Sequence, residues 1–507
     1  MNIQEAKEQI EKAVKIYLEK DAYGNYRIPI ARQRPVFLLG APGIGKTAIM
    51  EQIAADMDLA LVSYSMTHHT RQSALGLPFI SHKNYGGMEF DVSEYTMSEI
   101  IASVYEMMER TGKKEGILFL DEINCVSETL APSMLQFLQY KTFGKHRVPE
   151  GWVVATAGNP PQFNRSVREF DVVTMDRMKV LEVEADYDAW RAYAVNRGIH
   201  GSVITYLDIK KNDFYVIENT VDGKSYVTAR GWEDLSETIY LYEENEFEVD
   251  EILVGQYLRN RRICREFAAY YDLYQKYKKD YQVHQILSGQ AGADIYRRAK
   301  KAGFDERLSL IGLLLDAIQI EIRDNIHLED ALRRQLLILK DVKKELEDLK
   351  QWEMENVLNV FQSKWESLEQ QIVCEDEAGS LSEIEKRELQ MVIEALHQDA
   401  RAVHVENITR PKDVIDLIRK RFDREVTQMK AVRAGISEKL SNLFSFVEKT
   451  FGAGNEMLVL VTDLTVNRNS AAFIARCGCR EYEKYNKQFQ IYERQQEIED
   501  AVQKLQL

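Results

Sequence analysis

The feature that most constrains this chain of 507 residues is a glycine-rich loop near its N-terminus. The loop follows the apolar run Val36–Leu39, precedes a helical pattern and reads Gly40-Ala41-Pro42-Gly43-Ile44-Gly45-Lys46-Thr47. Glycines let the backbone wrap closely around phosphates, so that N–H groups point inward at the start of a helix. In this pattern the lysine reaches the β- and γ-phosphates, and the threonine hydroxyl binds Mg²⁺. The sequence therefore predicts a phosphate site here, and a structural glycine-rich turn is the weaker alternative.

Short apolar runs predict five strands, and helical patterns lie between them. The runs are Val36–Leu39, Leu59–Tyr64, Ile117–Leu120, Trp152–Thr156 and Val180–Val183. Continuous apolar runs suit strands that are buried on both faces of a parallel sheet. Because strands and helices alternate, the connections are expected to be right-handed crossovers. The predicted fold is α/β, with a doubly wound parallel sheet of five strands that carries the phosphate loop.

An acidic pair follows the third of these runs. Asp121 and Glu122 come directly after Ile117–Leu120, so a parallel strand would deliver both carboxylates to the edge of the sheet beside the glycine-rich loop. Asp121 would hold Mg²⁺ through water, and Glu122 would orient and polarise the attacking water. A solvated acidic turn is the alternative for this motif alone, and the phosphate loop upstream favours the catalytic interpretation.

Four motifs in this order resemble those of AAA+ ATPases, and within that class those of MoxR-like ATPases. They are Gly40–Thr47, Leu120-Asp121-Glu122-Ile123-Asn124, Ala155-Thr156-Ala157-Gly158-Asn159-Pro160 and Met175-Asp176-Arg177. These motifs resemble Walker A, a D-E-I-N Walker B, an A-T-x-N-P sensor 1 and an L-D-R-F arginine finger. The resemblance covers about residues 25–270. The chain departs from it at Cys125, where the family usually has arginine, and at Met178, where it has phenylalanine.

The resemblance implies roles for three further side chains. Asn159 would contact the γ-phosphate or the attacking water, although an ordinary Asn-Pro turn is equally plausible from the local sequence. Arg177 would reach the γ-phosphate bound by the neighbouring subunit, in preference to the nearby Arg165 and Arg168. Arg230, at the start of a predicted lid helix, would reach the γ-phosphate of its own subunit. A surface arginine is the alternative for Arg230.

Two loops carry candidate contact surfaces. The segment Thr67–Tyr95 contains Tyr85-Gly86-Gly87-Met88, which suggests a hairpin. In position the segment resembles the helix-2 insert of the clade that contains MoxR, so Tyr85 and Met88 could grip a polypeptide. A loop packed on its own domain is the alternative. The basic run Lys141–Arg147 resembles the pre-sensor-1 hairpin, and more often such a run is a solvated turn.

The remainder of the chain is predicted to be helical. An α/β domain at residues 1–184 is followed by a helical lid at 185–280 and a helical C-terminal domain at 281–507. Apolar residues recur there at a spacing of three to four, from Leu339 to Leu349 and from Ile418 to Val447, and the run 375–380 separates the two patterns. This predicts two long helices folded back as an antiparallel coiled-coil arm at about 330–450.

Composition excludes several classes of protein. Lys and Arg number 66 against 81 Asp and Glu, a net charge of −15, so a basic footprint for nucleic acid over the whole chain is absent. Five cysteines do not make a disulfide framework and fit a reducing cytosol. Since no stretch approaches the ~18 apolar residues of a membrane span, we expect a cytoplasmic protein without a membrane segment.

The sequence supports one leading function and two alternatives. The resemblance implies an ATPase that hydrolyses ATP with Mg²⁺ at the subunit interfaces of a homo-oligomeric, hexameric ring, and that remodels or activates protein clients in a chaperone-like way. It also implies a partner with a von Willebrand factor A domain. A nucleic-acid-associated defence or restriction ATPase is disfavoured by the acidic charge. A non-hydrolysing nucleotide switch is disfavoured by the intact catalytic set. No guanine-reading N-K-x-D motif follows at a usable spacing, so ATP is preferred over GTP.

Overall fold

The computed structural model describes residues 1–68, 74, 76–163, 167–220, 223–377 and 381–490. These residues divide between two compact units. The first unit comprises Met1–Ala189 with Glu366–Arg387, and the second comprises Trp190–Trp365 with Glu388–Leu507. Each unit has its own core of buried apolar side chains. The domain boundaries predicted at residues 184 and 280 stay predictions.

The described residues of the first unit form nine strands. They are β1 (Val36–Gly40), β2 (Ala60–Ser65), β3 (Pro78–Tyr85), β4 (Met88–Tyr95), β5 (Gly116–Asp121), β6 (Thr142–Phe143), β7 (His146–Arg147), β8 (Trp152–Gly158) and β9 (Lys179–Val183). Its helices are α1 (Ile3–Tyr17), α2 (Lys46–Asp56), α3 (Glu99–Thr111), α4 (Ala131–Tyr140) and α5 (Val172–Met175). Helices α2 to α5 fall between the strands of the main sheet, as the alternating pattern predicts, and α1 precedes β1.

The main sheet has five parallel strands in the order β2-β5-β8-β1-β9. All five predicted strands are present, so the predicted α/β fold with a five-stranded parallel sheet is confirmed. β8 is buried along its whole length, as expected for a strand covered on both faces. Because the strands are parallel, the carboxyl ends of β1, β5 and β8 meet at one edge of the sheet.

The predicted hairpin around Tyr85 is confirmed as β3 paired antiparallel with β4. Tyr85 pairs with Met88 in the register, and the two intervening residues, Gly86 and Gly87, have φ of 61° and 88°. Glycine adopts such positive φ values without steric cost, and they match the twist of a two-residue hairpin turn. At the base of the hairpin, Glu94 makes ion pairs with Lys83 and with Lys145 on the turn between β6 and β7.

The basic run Lys141–Arg147 does form a short antiparallel hairpin, β6 with β7, but its interpretation as a solvated turn is wrong at Lys141. The Lys141 side chain is only 1% exposed, and its Nζ donates a hydrogen bond to the carbonyl oxygen of Leu138. Burial lowers the pKa of Lys141 from its usual 10.5 to about 7. Burying a charged ammonium group is unfavourable, so burial shifts the protonation equilibrium of Lys141 toward the neutral amine.

Replacing Lys141 by methionine is therefore expected to stabilise the first unit by roughly 4 kcal/mol at about pH 7.5. Between about pH 7 and 10.5 the unfolded lysine binds more protons than the folded one. The free energy of unfolding of the wild type must therefore rise with pH across that window. The variant lacks the lysine, so its free energy of unfolding lacks this part of the pH dependence. Hydrogen exchange of the β5 and β8 amides reports on this unit. Lys114→Met removes an exposed lysine and serves as the control. Equal stability of wild type and Lys141→Met would contradict the burial argument.

From Tyr187 onward the described chain is mostly helical. The helices are α6 (Tyr187–Arg197), α7 (Gly201–Ile209), α8 (Ala229–Glu244), α9 (Glu251–Tyr257), α10 (Arg261–Asp280), α11 (Val283–Leu287), α12 (Ala293–Lys301), α13 (Phe304–Glu347), α14 (Met354–Glu377), α15 (Glu383–Glu406), α16 (Pro411–Phe451), α17 (Asn455–Val466) and α18 (Arg468–Cys477). Residues 480–490 are helical as well. No helix in the described part of the chain has the length and apolar character needed to span a bilayer.

Two features of this helical region differ from the sequence prediction. The predicted helix Glu251–Lys278 is two helices, because Asn260 caps α10 by accepting a hydrogen bond from the backbone N–H of Ile263. A hairpin of two strands precedes α8, β10 (Val216–Thr220) and β11 (Gly223–Val227), where no strand was predicted.

The predicted pair of long arm helices is also wrong, because four helices, α13–α16, cover that stretch. Breaks at 348–353 and 407–410 divide each predicted helix. Asn407 has φ of 53°, a left-handed conformation that ends helices, and Pro411 begins the next one. The 3–4 pattern still marks the packed faces of α13 and α16. Buried members of the pattern are Val342, Leu346, Ile418, Met429, Ile436, Leu440, Leu443 and Val447.

Candidate nucleotide-binding site

The glycine-rich loop connects the end of β1 to the start of α2. Gly43 and Gly45 have φ of 73° and 93°, in the left-handed region that favours glycine. Gly40 is needed for a different reason, since an added Cβ would lie 2.7 Å from the carbonyl oxygen of Val183 on β9. α2 then begins at Lys46, so its first N–H groups face the loop. The loop therefore has the strand–loop–helix context that its sequence predicts.

The buried Lys46 side chain is held inside the loop. Its Nζ donates hydrogen bonds to the carbonyl oxygens of Gly40 and Ala41, at 2.9 and 2.8 Å, and to Oδ1 of Asn159 at 2.9 Å. Asn159 follows β8, which is the neighbour of β1 in the sheet. The structure thus brings together two predicted site residues that are far apart in the sequence.

Thr47 and Asp121 supply the oxygen donors of the site. The Thr47 hydroxyl donates to Oδ2 of Asp121 at 2.9 Å, and Oδ1 of Asp121 accepts the backbone N–H of Glu122 at 2.8 Å. Hydroxyl and carboxylate oxygens are the ligands that Mg²⁺ prefers. This donor set fits a magnesium ion held by Thr47 and Asp121, and the binding of the ion stays a prediction.

Glu122 has a backbone conformation that is unusual for a residue other than glycine. Its φ is 54°, and such strained positions persist where the surrounding structure fixes them. Oε2 of Glu122 accepts a hydrogen bond from the hydroxyl of Ser65 at 3.1 Å. Ser65 ends β2, which pairs with β5, so the neighbouring strand orients the carboxylate. Ser65 was not among the predicted site residues, although it ends a predicted strand at the same edge of the sheet.

Asn124 positions the turn that carries Asn159. Its Nδ2 donates to the carbonyl oxygen of Asn159 at 2.8 Å, and its side chain is buried. An added Cβ at Gly158 would lie 2.5 Å from Oδ1 of Asn124, so a side chain there would displace this amide. The motif that contains Asn124 was noted in the sequence, but this role becomes visible only from the contact between β5 and β8.

The candidate arginines lie outside this cluster. Arg177 is exposed and makes no ion pair among the described residues. Hydrogen bonds from Thr174 lower the pKa of Asp171, and the charge of Arg177 adds a smaller effect in the same direction. Arg168 instead makes an ion pair with Glu128. Arg165 lies outside the described residues. In the second unit, the exposed Arg230 is the second residue of α8.

Comparison with known proteins addresses the same part of the chain. Residues 36–175 match the model of the ATPase family associated with various cellular activities (AAA). The match includes the site residues Lys46, Thr47, Asp121, Glu122 and Asn159. Arg177 and Arg230 lie outside it. No curated protein matches the chain. Residues 36–175 are therefore similar to an AAA ATPase domain, and the match supports an ATPase in general terms.

Proposed function

We propose that this chain is a MoxR-like AAA+ ATPase of the cytoplasm. It hydrolyses ATP with Mg²⁺ at the subunit interfaces of a hexameric ring and uses the energy to remodel or activate a partner protein. The observation that carries the proposal is the pairing at the carboxyl edge of the sheet, Lys46 with Asn159 and Thr47 with Asp121. These contacts place a cation, an amide and two oxygen donors within one site.

The residues of the site have separate tasks in this reaction. Lys46 binds the β- and γ-phosphates, and Asn159 is placed beside it to contact the γ-phosphate or the attacking water. Glu122, oriented by Ser65, accepts the proton of that water as it attacks. Mg²⁺, when bound by Thr47 and Asp121, neutralises charge on the phosphate oxygens.

The exposed position of Arg177 supports the proposed ring. Arg177 is exposed and carries a guanidinium that makes no ion pair within the described residues. A guanidinium stabilises the charge that develops on the transferred phosphoryl group. A neighbouring subunit that received Arg177 would gain this charge, and such a head-to-tail contact forms a ring where the rotation between subunits closes. Arg230 is assigned to the γ-phosphate of its own subunit on the family resemblance.

The proposed client contact is the tip of the β3–β4 hairpin. Tyr85 and Met88 are 55% and 65% exposed, and the ring of Tyr85 lies 6.1 Å from that of Phe90 on the same face. Exposed apolar patches of this kind mark protein-interaction sites. A partner with a von Willebrand factor A domain belongs to the proposal through the family resemblance.

Replacing Tyr85 and Met88 together by serine is expected to weaken client binding at least about tenfold, because burial of two such side chains stabilises a contact by a few kcal/mol. The assay is fluorescence anisotropy of labelled, reduced and carboxymethylated α-lactalbumin, a permanently unfolded polypeptide, with Mg-ATP present. Ile80→Ser is the matched control, since Ile80 is exposed on the opposite face of the hairpin. Equal affinity of wild type and the double variant would remove the tip from client binding.

A further inference from the structure

The short helix α5 presents an apolar face to solvent. Val172 is 84% exposed and Val173 is 58% exposed, and Asp176 and Arg177 are exposed beside them. The opposite side of the same turn faces the core of the first unit, where Thr174 is buried. α5 therefore has one side that packs and one side that nothing in the described part of the chain covers.

Val172 and Val173 are not needed for the folding of α5 or of the first unit. α5 has four residues, and β-branched side chains lower helix propensity. The helix is held instead by Asp171, whose Oδ1 accepts the backbone N–H of Thr174 at 2.8 Å, and by its buried side. Since an exposed valine removes little apolar area from water, Val172 and Val173 contribute little to the stability of their own unit.

The valines lie next to the exposed Arg177. Val173 and Arg177 are four residues apart on a helical turn, which the hydrogen bond from the Arg177 backbone N–H to the carbonyl oxygen of Thr174 continues. Asp176 is engaged with Arg34 at 3.9 Å, whereas Arg177 makes no ion pair among the described residues. The buried centre of a protein interface is more apolar than the rest of the surface and is enriched in arginine, so an exposed apolar pair beside Arg177 fits such a position.

We propose that Val172 and Val173 are the apolar anchor by which one copy of this chain docks on the next. This inference rests on the proposed ring. Charge complementarity selects the occupant, because Arg177 needs an anionic acceptor and the edge that carries Asp121 and Glu122 presents carboxylates and binds phosphates. The contact joins two different faces of the chain, so it can repeat from copy to copy, and it forms a ring where the rotation between copies closes. The valines supply docking, and Arg177 supplies charge to the reaction.

The test measures self-association of the full chain by sedimentation velocity with Mg²⁺ and a slowly hydrolysed ATP analogue. Replacing Val172 and Val173 together by serine is expected to raise the concentration at half-assembly at least about tenfold. Val405→Ser is the matched control, because Val405 is 78% exposed on α15, and its assembly should equal that of wild type. In wild type, hydrogen exchange of the amides at 172–178 should slow on assembly.

The outcomes separate this inference from the ring itself. Assembly of the double variant at the wild-type concentration would overturn the role of the valines and leave the ring in place. Wild-type chains that assemble while amides 172–178 exchange unchanged would overturn it as well. Wild-type chains that stay monomeric at every concentration would remove the proposed ring, and the inference with it. Unchanged circular dichroism of the double variant confirms that it folds.

Discussion

Replacing Glu122 by glutamine is expected to lower ATP turnover by ~10²–10⁴-fold while ATP stays bound. Glutamine keeps the length of the side chain and can still accept the hydrogen bond from Ser65, but it cannot take a proton from water. The ligands of the phosphates and of Mg²⁺ lie on other residues, so binding survives. Steady-state phosphate release and equilibrium ATP binding measure the two effects separately.

Two further variants make this experiment specific. Lys46→Ala removes a phosphate ligand from the ground state, so it should weaken ATP binding itself, unlike Glu122→Gln. Glu51→Gln neutralises an exposed carboxylate on α2 and should leave both quantities unchanged. Turnover by Glu122→Gln equal to that of wild type would remove Glu122 from the role of base.

Replacing Arg177 by alanine is expected to lower turnover by ~10³-fold, because a guanidinium that contacts the transferred phosphoryl group contributes on that order. The fold of the Arg177→Ala variant should change little, because the Arg177 side chain is exposed and makes no ion pair among the described residues. Arg168→Ala is the matched control, because Arg168 is nearby and is occupied by Glu128. A larger loss of turnover in Arg168→Ala than in Arg177→Ala would exchange their roles.

The sheet was predictable because its strands are buried on both faces. Such strands appear in the sequence as continuous apolar runs, and β5 and β8 show this most clearly. The positions of the site residues were also predictable, because the glycine-rich loop, Asp121 and Asn159 each come at or directly after the end of a strand. The parallel topology then brings them to one edge without further information.

Other features depend on contacts that a linear pattern does not contain. Ser65 becomes part of the site only because β2 pairs with β5. Lys141 looks like a surface residue in a basic run, but its side chain is buried at the end of α4. Pro411 marks the break before α16 in the sequence. The helical spacing of apolar residues C-terminal to it nevertheless favours one long helix. The strands of the hairpin before α8, β10 and β11, lack the continuous apolar runs that mark the strands of the main sheet.

The central claim is that this chain completes an ATP site with a residue from its neighbour, and mixing two inactive variants tests it most directly. Arg177→Ala keeps Glu122, and Glu122→Gln keeps Arg177, so each alone should be nearly inactive. In mixed assemblies some interfaces pair an intact Glu122 with an intact Arg177 from the adjacent subunit. We predict that ATP turnover returns in part, in proportion to the number of such interfaces. No recovery on mixing, with subunit exchange confirmed by fluorescence energy transfer, would show that Arg177 acts within its own subunit or not at all.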